Sequence, residues 1–218
     1  MPPPATDGRS APAPRVSRLS AALYEPVLWL GERAGMAARR QRLVRRARGA
    51  VLEIGAGTGL NLPHYGEPER LVLTEPEPEM ATRLRRRLAV LGREAEVRET
   101  GAEALPFSDG EFDTAVSTLV LCTVPDPSAA LRELRRVLRP GGSLLFIEHV
   151  RAQSPRLAAW QDRLRGAWAL LADGCQCNRR TLELIEANGF EVRELERERW
   201  RAMPPLVRPL VTGVAARA

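Results

Sequence analysis

The chain has 218 residues, 44% hydrophobic and 28% charged, which suits one well-buried core and is short for two independent domains. Its formal net charge is +6 and all 33 of its Lys/Arg residues are arginine, a bias that reads as solvated helix faces, so no nucleic-acid partner is expected. Three cysteines exclude a disulfide framework and point to a reduced, cytoplasmic setting, and no apolar run reaches the roughly 18–20 residues that span a bilayer.

Residues 1–15 are rich in Pro and Ala, lack the apolar centre of a secretory signal, and read as a disordered lead-in. From about Arg15 to Arg48 the pattern is helical: Leu19, Leu23, Val27 and Leu30 recur at three- and four-residue steps, with a bend expected at Pro26. Ala50–Ile54 is a short apolar run entering a glycine cluster, and Leu71–Thr74 is a second; both read as buried strands. Glu79–Leu91 is a helix with Met80, Leu84, Leu88 and Leu91 on one side. A third strand is expected over Glu94–Glu99 and a fourth over Phe112–Thr118. Ser128–Leu138 reads as a helix capped by Ser128 and stopped by Arg139-Pro-Gly-Gly142. Ser143–Val150 is the fifth strand, Arg156–Leu171 and Arg179–Asn188 are helices, and Phe190–Glu196 and Leu210–Ala216 are closing strands. Strands alternating with helices give an α/β fold with a mostly parallel seven-stranded sheet covered on both faces.

The most informative stretch is Glu53-Ile-Gly-Ala-Gly-Thr-Gly59, directly after the first strand. Glycines there permit a tight turn and close approach of backbone to ligand, and sheets of this class bind ligands at the carboxyl ends of their strands. A dinucleotide fingerprint requires glycine where Leu60 stands, and a P-loop requires Gly-Lys-Ser/Thr; neither is present. Glu75 closes the second strand twenty residues after Gly55, where a carboxylate can accept both ribose hydroxyls of a nucleoside or stand as a solvated turn acid.

The string E-x-G-x-G-x-G resembles the first motif of class I S-adenosylmethionine-dependent methyltransferases, whose fold is Rossmann-like. Thr118-Leu-Val-Leu-Cys122, Leu138-Arg-Pro-Gly-Gly142, Glu148-His-Val150 and Asp173-Gly-Cys175 extend the likeness to the methyltransferase-like thiol S-methyltransferase family, from about Tyr24 to the C-terminus. The family's glycine loop has cysteine where this chain has Ala56. Its animal members carry an N-terminal hydrophobic membrane segment where this chain has a broken, arginine-rich helix, so membrane contact by that helix stays open.

The resemblance implies a helical cap over residues 16–48, a cofactor-binding core over 49–150 and an acceptor side over 151–218, in one domain. It implies S-adenosylmethionine held by Glu53, Gly55, Ala56, Gly57, Thr58, Gly59, Asn61, Glu75 and Pro76. Ala102 and Glu103 are then expected beside the adenine, Ser117, Thr118 and Leu119 beside the methionine half, and Tyr24 at the cofactor carboxylate. Asp113 belongs either to that frame or to a plain strand start. His149 and Asp173, within family motifs, are the candidates for orienting a small-molecule acceptor or relaying its proton; core packing and a helix-end turn are their plainer roles. Trp160 and Trp168 either roof the acceptor pocket or pack.

Cys175 and Cys177 stand one residue apart without a second pair, so structural thiols and no metal site are expected. The implied acceptor atom is a thiol sulfur. The alternatives are an oxygen, nitrogen or carbon acceptor on a quinone, a phospholipid headgroup or another metabolite, an RNA acceptor, and a binding module without catalysis.

Overall fold

The structure, a computed structural model, describes residues 30–218. Tyr24 and the bend expected at Pro26 lie outside the described residues. The seven strands are β1 (Ala50–Ile54), β2 (Arg70–Thr74), β3 (Glu96–Arg98), β4 (Phe112–Thr118), β5 (Leu138–His149), β6 (Phe190–Arg199) and β7 (Pro209–Arg217). They form one sheet in the order β3-β2-β1-β4-β5-β7-β6. The pairs from β3 through β5 are parallel, and β7 inserts antiparallel between β5 and β6. The chain runs outward from β1 to β3 and returns to β4 on the other side of β1. The strand order therefore reverses between β1 and β4, and a crevice opens at their carboxyl ends.

Helices α1 (Ala37–Val44), α2 (Pro78–Leu91), α3 (Pro127–Val137), α4 (Pro155–Leu171) and α5 (Thr181–Ala187) complete the frame. Period-2 alternation along the strands divides the core in two. Leu52, Ile54, Val72 and Phe146 meet α3 and α5 through Leu131, Leu134 and Ile185. Val51, Leu71, Leu73, Val116 and Ile147 meet α1 and α2 through Leu43, Val44, Leu84 and Leu88. Each fully buried leucine of this kind stabilises the fold by roughly 1.5–3 kcal/mol relative to exposure. α2 ends where Gly92 takes a φ of 60° and its N–H turns back to the Ala89 carbonyl.

Several boundaries differ from the sequence expectation, each for a local reason. The cap of α3 is Asp126, whose carboxylate accepts the N–H groups of Ser128 (3.0 Å) and Ala129 (2.9 Å); Pro127 occupies the first helical position and places Ser128 inside the turn. Arg139-Pro-Gly-Gly142 is not a loop after the helix. β5 already begins at Leu138, paired with Phe112, and pairing resumes only at Ser143 with Thr114, so these four residues bulge out of the ladder. The basic N-terminal helix is interrupted at Ala34 and Gly35, where Gly35 has a φ of 112°.

α1 and the turn that follows it are joined to the far edge of the sheet by three ion pairs: Arg39 with Glu198 (2.8 Å), Arg42 with Glu196 (2.5 Å) and, two residues past the helix, Arg46 with Glu194 (2.5 Å). One helical stripe thus meets the alternate residues of one strand face. Just upstream, the indole N–H of the fully buried Trp200 donates to the Gly31 carbonyl at 2.8 Å. Among the described residues no helix is long and apolar enough to cross a membrane.

Candidate active site

The chain leaves β1 through Gly55–Gly59, and Gly55, Gly57 and Gly59 all have positive φ. A Cβ at Gly55 would lie 2.7 Å from Val120, and one at Gly59 would lie 2.7 Å from both Leu62 and Leu84, so these two glycines are required by packing. Gly57 is different: a Cβ there would meet no protein atom within 4 Å. The loop bends around open space, and beside it the buried Thr58 hydroxyl has no hydrogen-bond partner.

Glu75 stands across the crevice at the tip of β2. One carboxylate oxygen accepts the Gly57 N–H at 2.8 Å and the other the Glu77 N–H at 2.9 Å. Burial raises its pKa above the usual carboxylate range, opposed by these two N–H groups. A carboxylate offers about four acceptor directions, and two are used here. The remaining two suit a pair of vicinal hydroxyls. The open cradle, the orphaned threonine hydroxyl and the half-satisfied carboxylate together fit the nucleoside part of S-adenosylmethionine.

Glu53 lies beneath the loop on the α1 side of the sheet. It accepts Asn61 Nδ2 at 2.8 Å and the Tyr65 hydroxyl at 2.6 Å. Burial pushes its pKa up to about 7, against these two hydrogen bonds and the positive charge of Arg40. Asn61 also donates to Thr118 Oγ1 (3.0 Å) and accepts from Arg40 (2.9 Å), whose guanidinium pairs in turn with Glu32. The structure therefore places Glu53 and Asn61 in a buried network that braces the glycine loop against α1 and the tip of β4.

The tip of β4 is held from β5. Glu148 is completely buried and accepts the Ser117 hydroxyl (2.7 Å) and the N–H groups of Val120 (3.0 Å), Leu121 (3.1 Å) and Cys122 (3.2 Å). Burial raises its pKa, and these donors oppose the rise. Leu119, inside this span, takes a φ of 60°, a conformation that costs a branched residue energy and persists only where its surroundings impose it.

His149 ends β5 one residue beyond this clamp. Its Nδ1 lies 3.7 Å from Cys122 Sγ and 3.6 Å from Cys175 Sγ, and the two sulfurs are 3.9 Å apart. The ring stacks on Trp200 at 5.9 Å, and its buried Nε2 has no partner. The contact with Cys122 and the neighbouring imidazole draw the Cys175 thiol down to about 4, whereas Cys122 is pushed well up, so the pair favours one thiolate and one thiol.

The other expected residues distribute unevenly. Ala102 is buried with Leu105, and Glu103 accepts the Asp126 N–H at 3.4 Å, so the loop after β3 abuts the one after β4. Pro76 is exposed beside Glu75. Asp113 accepts the Ala50 N–H at 2.7 Å and pairs with Arg139 at the opposite end of the strands; it is a strand-start clamp. Asp173 makes no hydrogen bond or ion pair with His149; it occupies a positive-φ turn (φ 43°) that delivers Cys175. Trp168 packs against the cysteines, while Trp160 is 56% exposed. Sequence reasoning missed Glu148 as a clamp, Cys122 as a member of the His149 cluster, and Arg40 and Tyr65 as partners of the loop network. Glu148 and Cys122 stood inside quoted motifs, which was the available signal.

The topology and the cradle are those of a class I S-adenosylmethionine-dependent methyltransferase. Residues 52–146 match the methyltransferase domain family. The human thiol S-methyltransferases TMT1A and TMT1B are 37% and 36% identical over 172 and 176 residues, in each case 77% of this chain and 70% of theirs. The chain belongs to the thiol S-methyltransferase family. The phosphatidylethanolamine N-methyltransferase of Cereibacter sphaeroides is 36% identical over 118 residues, 53% of this chain and 58% of that protein. An S-adenosylmethionine-dependent methyltransferase of known structure from Thermotoga maritima shares the fold with a TM-score of 0.69, covering 92% of this chain and 97% of its own at 22% identity.

Proposed function

We propose that the protein transfers a methyl group from S-adenosylmethionine to the sulfur of a small thiol. The observation that carries this reading is the 37% identity with a human thiol S-methyltransferase across 77% of the chain. Bound S-adenosylmethionine supplies a methyl group already activated by its sulfonium.

The protein's task is then to grip, align and exclude water. Glu75 takes the ribose hydroxyls, and the Gly55–Gly59 loop, with Ala56 and Thr58, lies against the nucleoside and its tail. Pro76, Ala102 and Glu103 border the adenine, and Ser117, Thr118 and Leu119 border the methionine half. Glu53 and Asn61 hold the loop from below. An acceptor fixed in line with the methyl gains about 7–11 kcal/mol from proximity. A thiol reacts as its thiolate, whose free pKa is about 8.5. His149 orients the acceptor sulfur or takes its proton, and Asp173 shapes the turn that brings Cys175 beside it. The segment from Leu30 through α1 covers the crevice and keeps water out.

Labelled methyl transfer to a panel of alkyl thiols, phenols and amines tests the acceptor. Thiols are expected to dominate, and a preference for phenols or amines refutes it. Glu75→Ala is expected to weaken cofactor binding by tenfold or more, through loss of charge-assisted hydrogen bonds of roughly 1.5–3 kcal/mol each. A second reading, nitrogen methylation of a lipid headgroup, rests on the 36% identity with the phosphatidylethanolamine enzyme. Vesicles containing phosphatidylethanolamine in the same panel decide between the two.

A further inference from the structure

We propose that Cys122, His149 and Cys175 form a Cys2His site for a zinc-type divalent ion whose fourth coordination position takes the acceptor thiol. The proposal deepens the thiol reading above and rests on it.

The geometry comes first. Zinc bonds sulfur at about 2.3 Å and imidazole nitrogen at about 2.0–2.1 Å with tetrahedral angles, so two cysteine ligands lie about 3.8 Å apart and each about 3.6 Å from the nitrogen. The three edges here are 3.9, 3.7 and 3.6 Å. They form one face of that tetrahedron, and all three residues are buried.

The face is preset by the fold. Cys122 follows β4, His149 ends β5 and Cys175 follows α4, so the ligands come from three separate elements. Their loops are joined by backbone: Gln176 N–H donates to the Cys122 carbonyl at 2.7 Å, Cys175 N–H to Ala172 at 2.9 Å, and Glu148 holds the Cys122 N–H. Ligands fixed this way need little reorganisation to accept an ion.

The ring's orientation fits the same role, since Nδ1 and not Nε2 faces the two sulfurs. With Nδ1 on the ion, Nε2 carries the proton of the neutral imidazole.

The ligand count gives the chemistry. Two thiolates and a neutral imidazole balance a divalent ion in an apolar setting, and three protein ligands leave one position open, as in catalytic rather than structural zinc sites. Cys177 lies outside the triangle, and among the described residues no fourth protein ligand closes it. Leu119, at the tip of β4, packs against the same cysteines, which brings the cluster beside the strand end assigned to the methionine half.

A thiol binding there releases its proton to water and stays as a metal-held thiolate. Its sulfur then forms a bond to the methyl carbon as the carbon–sulfonium bond breaks, giving a methyl thioether and S-adenosylhomocysteine. The ion's oxidation state is unchanged.

Titration of the full-length chain with Co2+, followed by visible absorption, tests this. One ion per chain with an intense thiolate-to-cobalt charge-transfer band is expected, lost in Cys122→Ser and Cys175→Ser and kept in Cys177→Ser. Added 2-mercaptoethanol is expected to shift the band. Absence of stoichiometric Co2+ or Zn2+ binding, or a band that survives both serine changes, overturns the site. If the band ignores the added thiol and chelator-treated protein methylates thiols at the full rate, the open-position role falls while the thiol reading stands. If the ion binds and responds to thiol but no thiol is methylated, the ion site stands and the acceptor assignment falls.

Discussion

Glu148 and Ser117 are joined by a 2.7 Å hydrogen bond across β4 and β5, and the same carboxylate collects three consecutive N–H groups from the loop that follows. One buried side chain thereby dictates the path of residues 119–122, including the positive φ at Leu119. Glu148→Ala leaves those N–H groups without acceptors at about 1–3 kcal/mol each. A loss of about 3 kcal/mol or more in denaturant unfolding is expected, together with weakened cofactor binding by calorimetry. Glu148→Gln keeps one acceptor oxygen and is expected to lose less. An unchanged unfolding midpoint in the alanine variant contradicts the clamp.

Gly57 and Gly59 separate ligand contact from packing. Alanine at Gly57 meets open space and costs only the roughly 1–2 kcal/mol of a left-handed backbone, yet its methyl enters the cradle. Cofactor affinity is expected to fall at least tenfold with a modest drop in Tm. Alanine at Gly59 must also displace Leu62 and Leu84, adding about 1–3 kcal/mol of overpacking. Calorimetry paired with thermal unfolding distinguishes them, and equal cofactor affinity in Gly57→Ala and the parent rules out the cradle.

Glu53 makes stability depend on pH in a defined direction. Its pKa is about 7 in the folded protein against 4.5 for an ordinary glutamate, so the folded state holds the extra proton between these limits. Stability from this group is full below about 4.5 and is lost as pH rises through about 7. The difference is about 3 kcal/mol, from 1.36 kcal/mol per unit. Glu53→Gln cannot ionise, so its stability relative to the parent is expected to improve by about that amount between pH 4.5 and pH 8. A pH-independent difference between the two proteins argues that the carboxyl is not held in this way.

Trp200 supports both the cap and the His149 ring. Trp200→Ala opens a cavity in the core and breaks the bond to Gly31, and is expected to cost about 3–5 kcal/mol. Trp200→Phe keeps much of the volume but not the N–H. Its amide exchange is expected to rise around Gly31–Met36, and unaltered exchange there means that the hydrogen bond does not anchor the segment.

The strand-and-helix frame was legible because alternation and glycine punctuation act locally: β1, β2, β4 and α2 fall within a residue or so of their expected limits. The placement of Glu75 against the glycine loop was legible for the same reason, since spacing fixes both relative to β1. What escaped depends on strands that are neighbours only in space. The acceptor groups of Glu148 lie 26–31 residues from their donors, and Cys122 joins Cys175 across 53 residues. Local competition misled twice: Pro127 claimed the first helical turn and shifted the cap to Asp126, and Arg139-Pro-Gly-Gly142 bulged within a strand that had already begun.

The arginine stripe on α1 has a bearing on biosynthesis. Arg46 waits for Glu194 across 148 intervening steps of chain, and Gly31 for Trp200 across 169. Leu43 and Val44 of the helix can seat on β1 and β2 as soon as those strands form, whereas its ion pairs and the indole bond upstream must wait for β6 and Trp200 to be made.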